Sequence, residues 1–207
     1  MIRMMLIAST ALSLAACKIV AKSDDPDDVP QDDDARMAAL VETDWDARIL
    51  PRLRESAMPL PEVLNAMETD FSAARETFGG GAAEGTPGNF VVRGEGLVVA
   101  ADLESRAARL EVDVTGDGAG DVELQLGPVI RGTALRDSLP FYEFTAFRGQ
   151  IEFAKLARAL NDTAHAAMPE APTDPVGQTV SFVGVFAMTD EDDAHEIVPL
   201  DLTWGVP

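Results

Sequence analysis

The chain has 207 residues, 36 of them acidic against 16 basic, a formal net charge of −20 and one cysteine. Binding to nucleic acid relies on Lys and Arg to displace counterions from phosphates, so this charge balance excludes that partner and repels anionic lipid headgroups as well. A lone cysteine leaves no disulfide to form within the chain, and the fold must hold by packing, with enough residues for one domain and a real core.

Arg3 precedes an apolar run, Met4 to Ala16, which ends in Leu14-Ala15-Ala16-Cys17. Thirteen residues fall short of the ~20 that a spanning helix needs, but they suit the apolar region of a secretory signal. The Leu-Ala-Ala-Cys ending resembles the lipobox of bacterial lipoproteins, in which the cysteine is acylated and becomes the first mature residue. Residues 1–16 are therefore expected to be a signal peptide and Cys17 the lipidation site. The position after Cys17 is Lys18, not the aspartate associated with inner-membrane retention, which favours the outer membrane. Residues 17–34, with Asp24-Asp25-Pro26-Asp27-Asp28 and Asp32-Asp33-Asp34, are predicted to form an acidic, solvated tether.

Two helices are predicted next, making an N-terminal helical segment over 35–78. The first runs from Ala35 to Ser56, with apolar residues at three- and four-residue intervals and a break near Pro51. Pro61 to Phe78 repeats the pattern, and Gly79-Gly80-Gly81 ends it and opens a loop reaching Gly88. From Asn89 the period changes to two. Phe90 to Ala101 reads as a strand, with Gly94 and Gly96 marking bulges or close backbone approaches. Ala108, Leu110, Val112 and Val114 alternate with charged residues, and Val122 to Leu126 returns after Gly116-Asp117-Gly118 as a hairpin. Phe147 to Ala167 carries a helical stripe. Thr179 to Met188 and His195 to Trp204 supply two last strands, Val198, Leu200, Leu202 and Trp204 on one side and Pro199 at an edge or bulge.

Three strands, a helix and two strands is the order of an OB-fold, a five-stranded Greek-key barrel. The expected class is α+β: an OB-like barrel over 89–207, preceded by two helices that pack on it or cover one end.

The least generic stretch runs from Gly127 to Asp137. Arginine's planar fork suits carboxylates and sugar hydroxyls. Arg131, Arg136 and Asp137, with Gln150 and Asn161, are accordingly candidates for a polar-ligand site at the barrel's rim. The competing reading pairs Arg136 with Asp137 locally and uses Arg131 to anchor the loop. Asp113, Thr115, Asp117 and Gly118 match the opening of a calcium loop, with Asp121 near, but Leu124 stands where a bidentate Glu is required; a hairpin turn is expected there. His165 and His195 have no partner at metal-ligand spacing and are expected to be structural. Asp190-Glu191-Asp192-Asp193 is expected to be a solvated turn between the last strands. No cofactor, metal or catalytic set is expected.

Cys17-Lys18-Ile19-Val20, Asn89-Phe90-Val91-Val92 with Gly94-Glu95-Gly96, the 127–137 stretch, Gln150-Ile151-Glu152-Phe153-Ala154 with Ala159-Leu160-Asn161, and Val180-Ser181-Phe182-Val183-Gly184 together resemble a bacterial family of predicted periplasmic lipoproteins. The resemblance implies a lipid-anchored body facing the periplasm. Because members are often encoded beside sugar ABC transporter components, it also implies an accessory role in uptake through a transporter or binding-protein partner. It brings no assigned catalytic or binding residues. A carbohydrate-binding module near Arg131 and Arg136 is the alternative.

Overall fold

The computed structural model describes residues 32–80 and 86–205. The signal peptide, Cys17, most of the tether and the middle of the 79–88 loop lie outside the described residues. In chain order the helical part comprises α1 (Asp33–Asp44), a π-helical turn (Trp45–Ile49), α2 (Leu50–Ser56), a two-residue strand β1 (Met58–Pro59), α3 (Leu60–Thr69) and α4 (Phe71–Phe78). The remainder comprises β2 (Gly88–Asp102), β3 (Ala107–Asp113), β4 (Val122–Pro128), the short α5 (Ala134–Asp137), a 3-10 turn (Phe144–Ala146), α6 (Gln150–Ala167), β5 (Thr179–Met188) and β6 (Glu196–Trp204).

The helix expected from Phe147 begins at Gln150, and before the barrel the helix boundaries differ from expectation at three places, each for a local reason. First, α1 begins at Asp33, inside the predicted tether. Acidic residues are favoured in a helix's first turn, and Asp34 reaches Lys155 of α6 at 2.7 Å while Asp33 pairs with Arg148. Asp32 to Asp34 are thus paired with Lys155 of α6 and with Arg148 just before it. Second, the helical path does not stop at Pro51. The Leu50 amide bonds back to the Trp45 carbonyl, the wider spacing of a π turn, and Pro51 sits in the first turn of α2, where its missing amide is tolerated. Third, the helix predicted over 61–78 is two helices. Asp70 is extended and its carboxylate accepts the Ala73 amide at 3.0 Å, capping α4.

Five strands close into a barrel in the order β2-β3-β4-β6-β5 and back to β2, with β1 an appendage parallel to β2. β4 and β6 run parallel; the other barrel pairs are antiparallel. With α6 between the third and fourth barrel strands, this is the predicted Greek-key arrangement. β2 makes closure possible: it pairs with β5 from Gly88 to Leu97 and with β3 from Leu97 to Asp102. Such a bend demands close backbone approach. A Cβ on Gly96 would stand 2.3 Å from the Asp113 carbonyl oxygen, and one on Gly94 would stand 2.9 Å from the Phe182 ring.

Two apolar cores result. The barrel interior packs Phe90, Val92, Leu110, Val112, Leu124, Phe182 and Phe186 against Leu60, Val63 and Met67 of α3, which closes one end. Outside the barrel, Met37, Val41, Trp45, Ile49 and Leu53 join Leu135, Tyr142, Leus 156 and 160 on the outer surface of Val185, Val198 and Leu200. The helices before the barrel therefore do both things expected of them: α3 covers an end, and α1 with α2 packs on a side.

The last strand corrects one prediction. Val198 faces Val185 and Pro199 faces Gly184, but Asp201 is the next residue to pair, with Val183. Leu200 is the extra residue of a bulge, which reverses the inward-outward parity. Val198 and Leu200 consequently serve the outer core, while Leu202 and Trp204 turn to the barrel interior. A second signal agrees with the position of Pro199 at this irregularity.

Gly96→Ala is expected to lower unfolding free energy by about 1–3 kcal/mol, the usual scale of forced overpacking, because the atom it meets is backbone and cannot rotate away. Urea unfolding of variant and parent checks this; coincident midpoints would show that the β2 bend tolerates a side chain.

Candidate functional site

The segment after β4 is held by atoms from several elements. Gly127 adopts φ +83°, and the carbonyl of Leu126 accepts the Nδ1–H of His165 at 2.7 Å. The Val129 amide bonds to the Arg106 carbonyl at 2.8 Å, and the Arg131 amide to Gln125 Oε1 at 2.8 Å. The Thr133 hydroxyl donates to Asp137 at 2.6 Å, and α5 buries Ala134 and Leu135.

This geometry assigns different work to each predicted ligand residue. Arg136 lays its guanidinium 3.9 Å from the centroid of the Phe153 ring, pairs with Asp137 at 2.7 Å and donates to the Phe153 carbonyl at 3.2 Å. Its side chain is 12 % exposed, so this cation is spent on joining α5 to α6. Asn161 is buried on α6, and its amide nitrogen donates to the carbonyls of Ile130 and Gly132 at 3.4 and 3.1 Å. Arg131 is exposed, and its guanidinium has no partner among the described residues. Gln150 is exposed at the start of α6, about 16 Å along the helix axis from Asn161 at 1.5 Å per residue. The five residues are therefore not one cluster.

Four of them, all but Gln150, do share a hub. Three cavities meet at Thr133: one of about 370 Å³ holding Gln125, Arg131, Asp193 and Glu196, one of about 470 Å³ holding Asn89, Arg136, Asp137 and Tyr142, and one of about 480 Å³ holding Arg106, Arg158, Asn161 and Asp162. A larger groove of about 770 Å³ runs between α1 and α6, with Ala35, Ala38, Trp45, Ala159 and Ala166 along its walls. Sequence reasoning missed this groove. The signal was available in the exposed alanines at i and i+3 of α1, but an alanine does not announce whether a neighbour covers it.

The calcium-like sequence is a turn. The Asp113 carboxylate accepts the amides of Thr115, Gly116 and Gly118 at 3.1, 2.6 and 2.8 Å, and Asp121 accepts those of Val114 and Thr115 at 2.7 and 3.0 Å. Both carboxylates thus close the hairpin between β3 and β4. The histidines also point their Nδ1–H at backbone, His165 at Leu126 and His195 at the Asp121 carbonyl, 3.1 Å away. Tyr142 donates its hydroxyl to buried Asp44 at 2.8 Å, and burial, then that bond, push its ionisation above the ordinary phenol range.

The amides of Gly116 and Gly118 hold the Asp113 carboxyl below the usual carboxylate range. A folded pKa below the unfolded value of about 3.9 contributes stability above that value, lost as pH falls through the folded pKa. Asp113→Asn is expected to be less stable than the parent near neutral pH, with the gap closing below about pH 4. Denaturant unfolding across pH reads this; a gap that stays constant with pH would refute it.

A crystal structure of an OB-fold protein from Thermotoga maritima matches with a TM-score of 0.57 over 83 % of this chain and 96 % of that one, at 16 % identity. The likeness is one of fold, and the closed five-strand barrel with its helices is an OB-fold. No curated protein matches the chain. The family model described as predicted periplasmic lipoprotein (DUF2291) matches residues 7–203, which takes in the cysteine, every described strand from β1 to β5 and all but the last residue of β6. The chain belongs to that predicted periplasmic lipoprotein family, whose place is the cell envelope.

Proposed function

We propose that this protein is anchored by lipid on Cys17, faces the periplasm, and acts without catalysis as an accessory to solute uptake by docking a partner protein in the groove between α1 and α6. The partner is a component of a transporter or a solute-binding protein. Lys18 favours anchoring in the outer membrane. Fourteen residues lie between Cys17 and Asp32, and at full extension that stretch reaches about 50 Å, so the body works close to its bilayer.

The groove carries this reading. Its α1 wall consists of Ala35, Ala38, Glu42 and Trp45, spaced at three and four residues, and its α6 wall of Lys155, Arg158, Asp162 and Ala166, spaced likewise. Two such ladders, each about three turns long, form the seat into which a third helix packs its ridge. The charges choose the occupant. Lys155 is already held by Asp34 at 2.7 Å and Arg158 faces Asp162 at 3.7 Å, whereas Glu42 and Asp46 form no ion pair with any described residue. The fitting partner is a helix with small apolar residues on one face, flanked by Lys or Arg. Trp45 at the floor is the kind of residue that dominates interface energetics.

A role without catalysis is supported by where the reactive side chains spend their atoms. His165 and His195 both donate to backbone carbonyls, and the hydroxyls of Ser56, Ser138 and Ser181 bond to Arg52, Ala134 and Glu95. Nucleic acid remains an unfavoured partner. The outer face of β3 and β4, where OB-folds take oligonucleotides, carries Glu111, Glu123 and Gln125, and Arg109 is engaged by Glu123 at 3.7 Å. A carbohydrate site around Arg131 and Arg136 is the second reading; with the Arg136 guanidinium on Phe153, it rests on Arg131 and the cavity beside it.

Two tests separate anchor from groove. Cys17→Ser is expected to abolish acyl labelling and leave a heavier precursor on a gel; unchanged mobility with label retained would end the anchor assignment. A photo-crosslinker at Ala38 in the native lipoprotein is expected to link a basic helix of one envelope protein, and Glu42→Lys with Asp46→Lys to cut the yield at least tenfold. Links only to a second copy or to residues 18–31 of the same chain, or a yield indifferent to charge reversal, would overturn the docking assignment.

A further inference from the structure

We infer that the cavity walled by Arg106, Arg158 and Asn161 is a binding site for a small hydroxycarboxylic acid. This goes beyond the docking groove, with which the cavity shares only Arg158 and Asp162 of α6.

Asn161 is the starting point. It is 6 % exposed, and both partners of its amide nitrogen, Ile130 and Gly132, are carbonyls, so the nitrogen must face them and the carbonyl oxygen faces elsewhere. That oxygen, Oδ1, takes no hydrogen bond from any described residue. This acceptor is open to solvent rather than sealed in, and it belongs to a residue that lines a cavity of about 480 Å³. An occupant with a hydroxyl donor satisfies it. The Thr133 hydroxyl in the same wall is not that donor, since it is committed to Asp137.

The other polar groups of the cavity are cationic. Arg106, in the connection from β2 to β3, gives its carbonyl to the Val129 amide but its guanidinium to no described residue. Arg158 meets Asp162 only at 3.7 Å, with both side chains more than half exposed. The unpaired fork of Arg106, with that of Arg158 once a ligand carboxylate displaces Asp162, matches the geometry of a carboxylate, which takes guanidinium donors in parallel. Pro128, Val129 and Ala157 complete the wall with apolar surface for a short carbon skeleton. The chain's excess of negative charge does not oppose the ligand here: the charged wall residues are two arginines and one aspartate, and at physiological salt charges beyond about 8 Å are largely screened. A volume in the hundreds of cubic ångströms and a few convergent polar groups beside apolar surface are among the usual marks of a small-molecule site.

The test is calorimetric titration of the mature lipoprotein in detergent with L-malate, and with succinate, which has the same skeleton and charge but no hydroxyl. Malate is expected to bind at least tenfold more tightly than succinate. Arg106→Gln and Arg158→Gln, both at exposed positions, are each expected to weaken malate at least tenfold with the unliganded melting temperature unchanged, while Arg131→Gln in the neighbouring cavity leaves it unaltered. The side-chain amide signals of Asn161 are expected to shift on adding malate in ¹⁵N-correlated NMR spectra. Equal affinity for malate and succinate, binding indifferent to Arg106→Gln, binding of a neutral sugar instead of the acid, or no heat with malate or the shorter lactate would each overturn the assignment.

Discussion

β2 gives one stretch of backbone to β5 and the next to β3, and the bend between them decides what the rest of the chain can do. Strands that share a curled partner close on themselves and leave no open edge. Once closed, the barrel has an interior to fill and an outer wall to cover. α3 fills the first task at one end, and α1, α2 and α6 perform the second across β5 and β6. Gly94 and Gly96 sit where Phe182 and the Asp113 backbone come too close for a side chain. Two small residues in β2 thereby determine where two separate hydrophobic cores lie.

Electrostatics secure the outer layer differently. Glu152 is buried on α6 and accepts Arg148 while Arg36 of α1 pairs with its other oxygen. Asp33 bridges the same two arginines, and Lys155 holds Asp32 and Asp34. Removing one member of a network around a buried carboxylate is more damaging than its exposed pairs suggest. On the opposite side, Arg54 of α2 forks onto Asp201 of β6 at 2.6 and 2.8 Å, which holds that carboxyl below its ordinary range. Charge thus ties α1 to α6 at one end of the helical layer and α2 to the barrel at the other, with Val41, Ile49 and Leu53 packed along the middle.

The barrel was legible in the sequence because its information is local. Alternation in β3 and β4, the Gly-rich turn between them and the stripe of α6 each depend on near neighbours. What escaped depends on distant ones. The Leu200 bulge is fixed by what β5 offers opposite it, so a strict period of two placed Leu202 and Trp204 on the wrong face. The helix start at Asp33 depends on lysine and arginine more than a hundred residues later. For the site, the 127–137 stretch was identifiable as unusual, and it does organise three cavities. Its division of labour was not identifiable, because Arg136 is removed from solvent by Phe153, and Arg106 enters the same cavity as Asn161 from a connection with no distinguishing motif.

The knot of charge at the start of α1 has a mechanical consequence. On the proposed anchoring through Cys17, the chain enters the body at Asp32, whose carboxylate meets Lys155 at 3.5 Å. On that reading a pull reaches first the exposed pairs of Asp32 and Asp34 with Lys155, and only afterwards buried Met37 and Val41 behind them. Pairs of that sort weaken as salt rises, so the hold of the root of α1 on α6 loosens with ionic strength while the apolar contacts behind it do not.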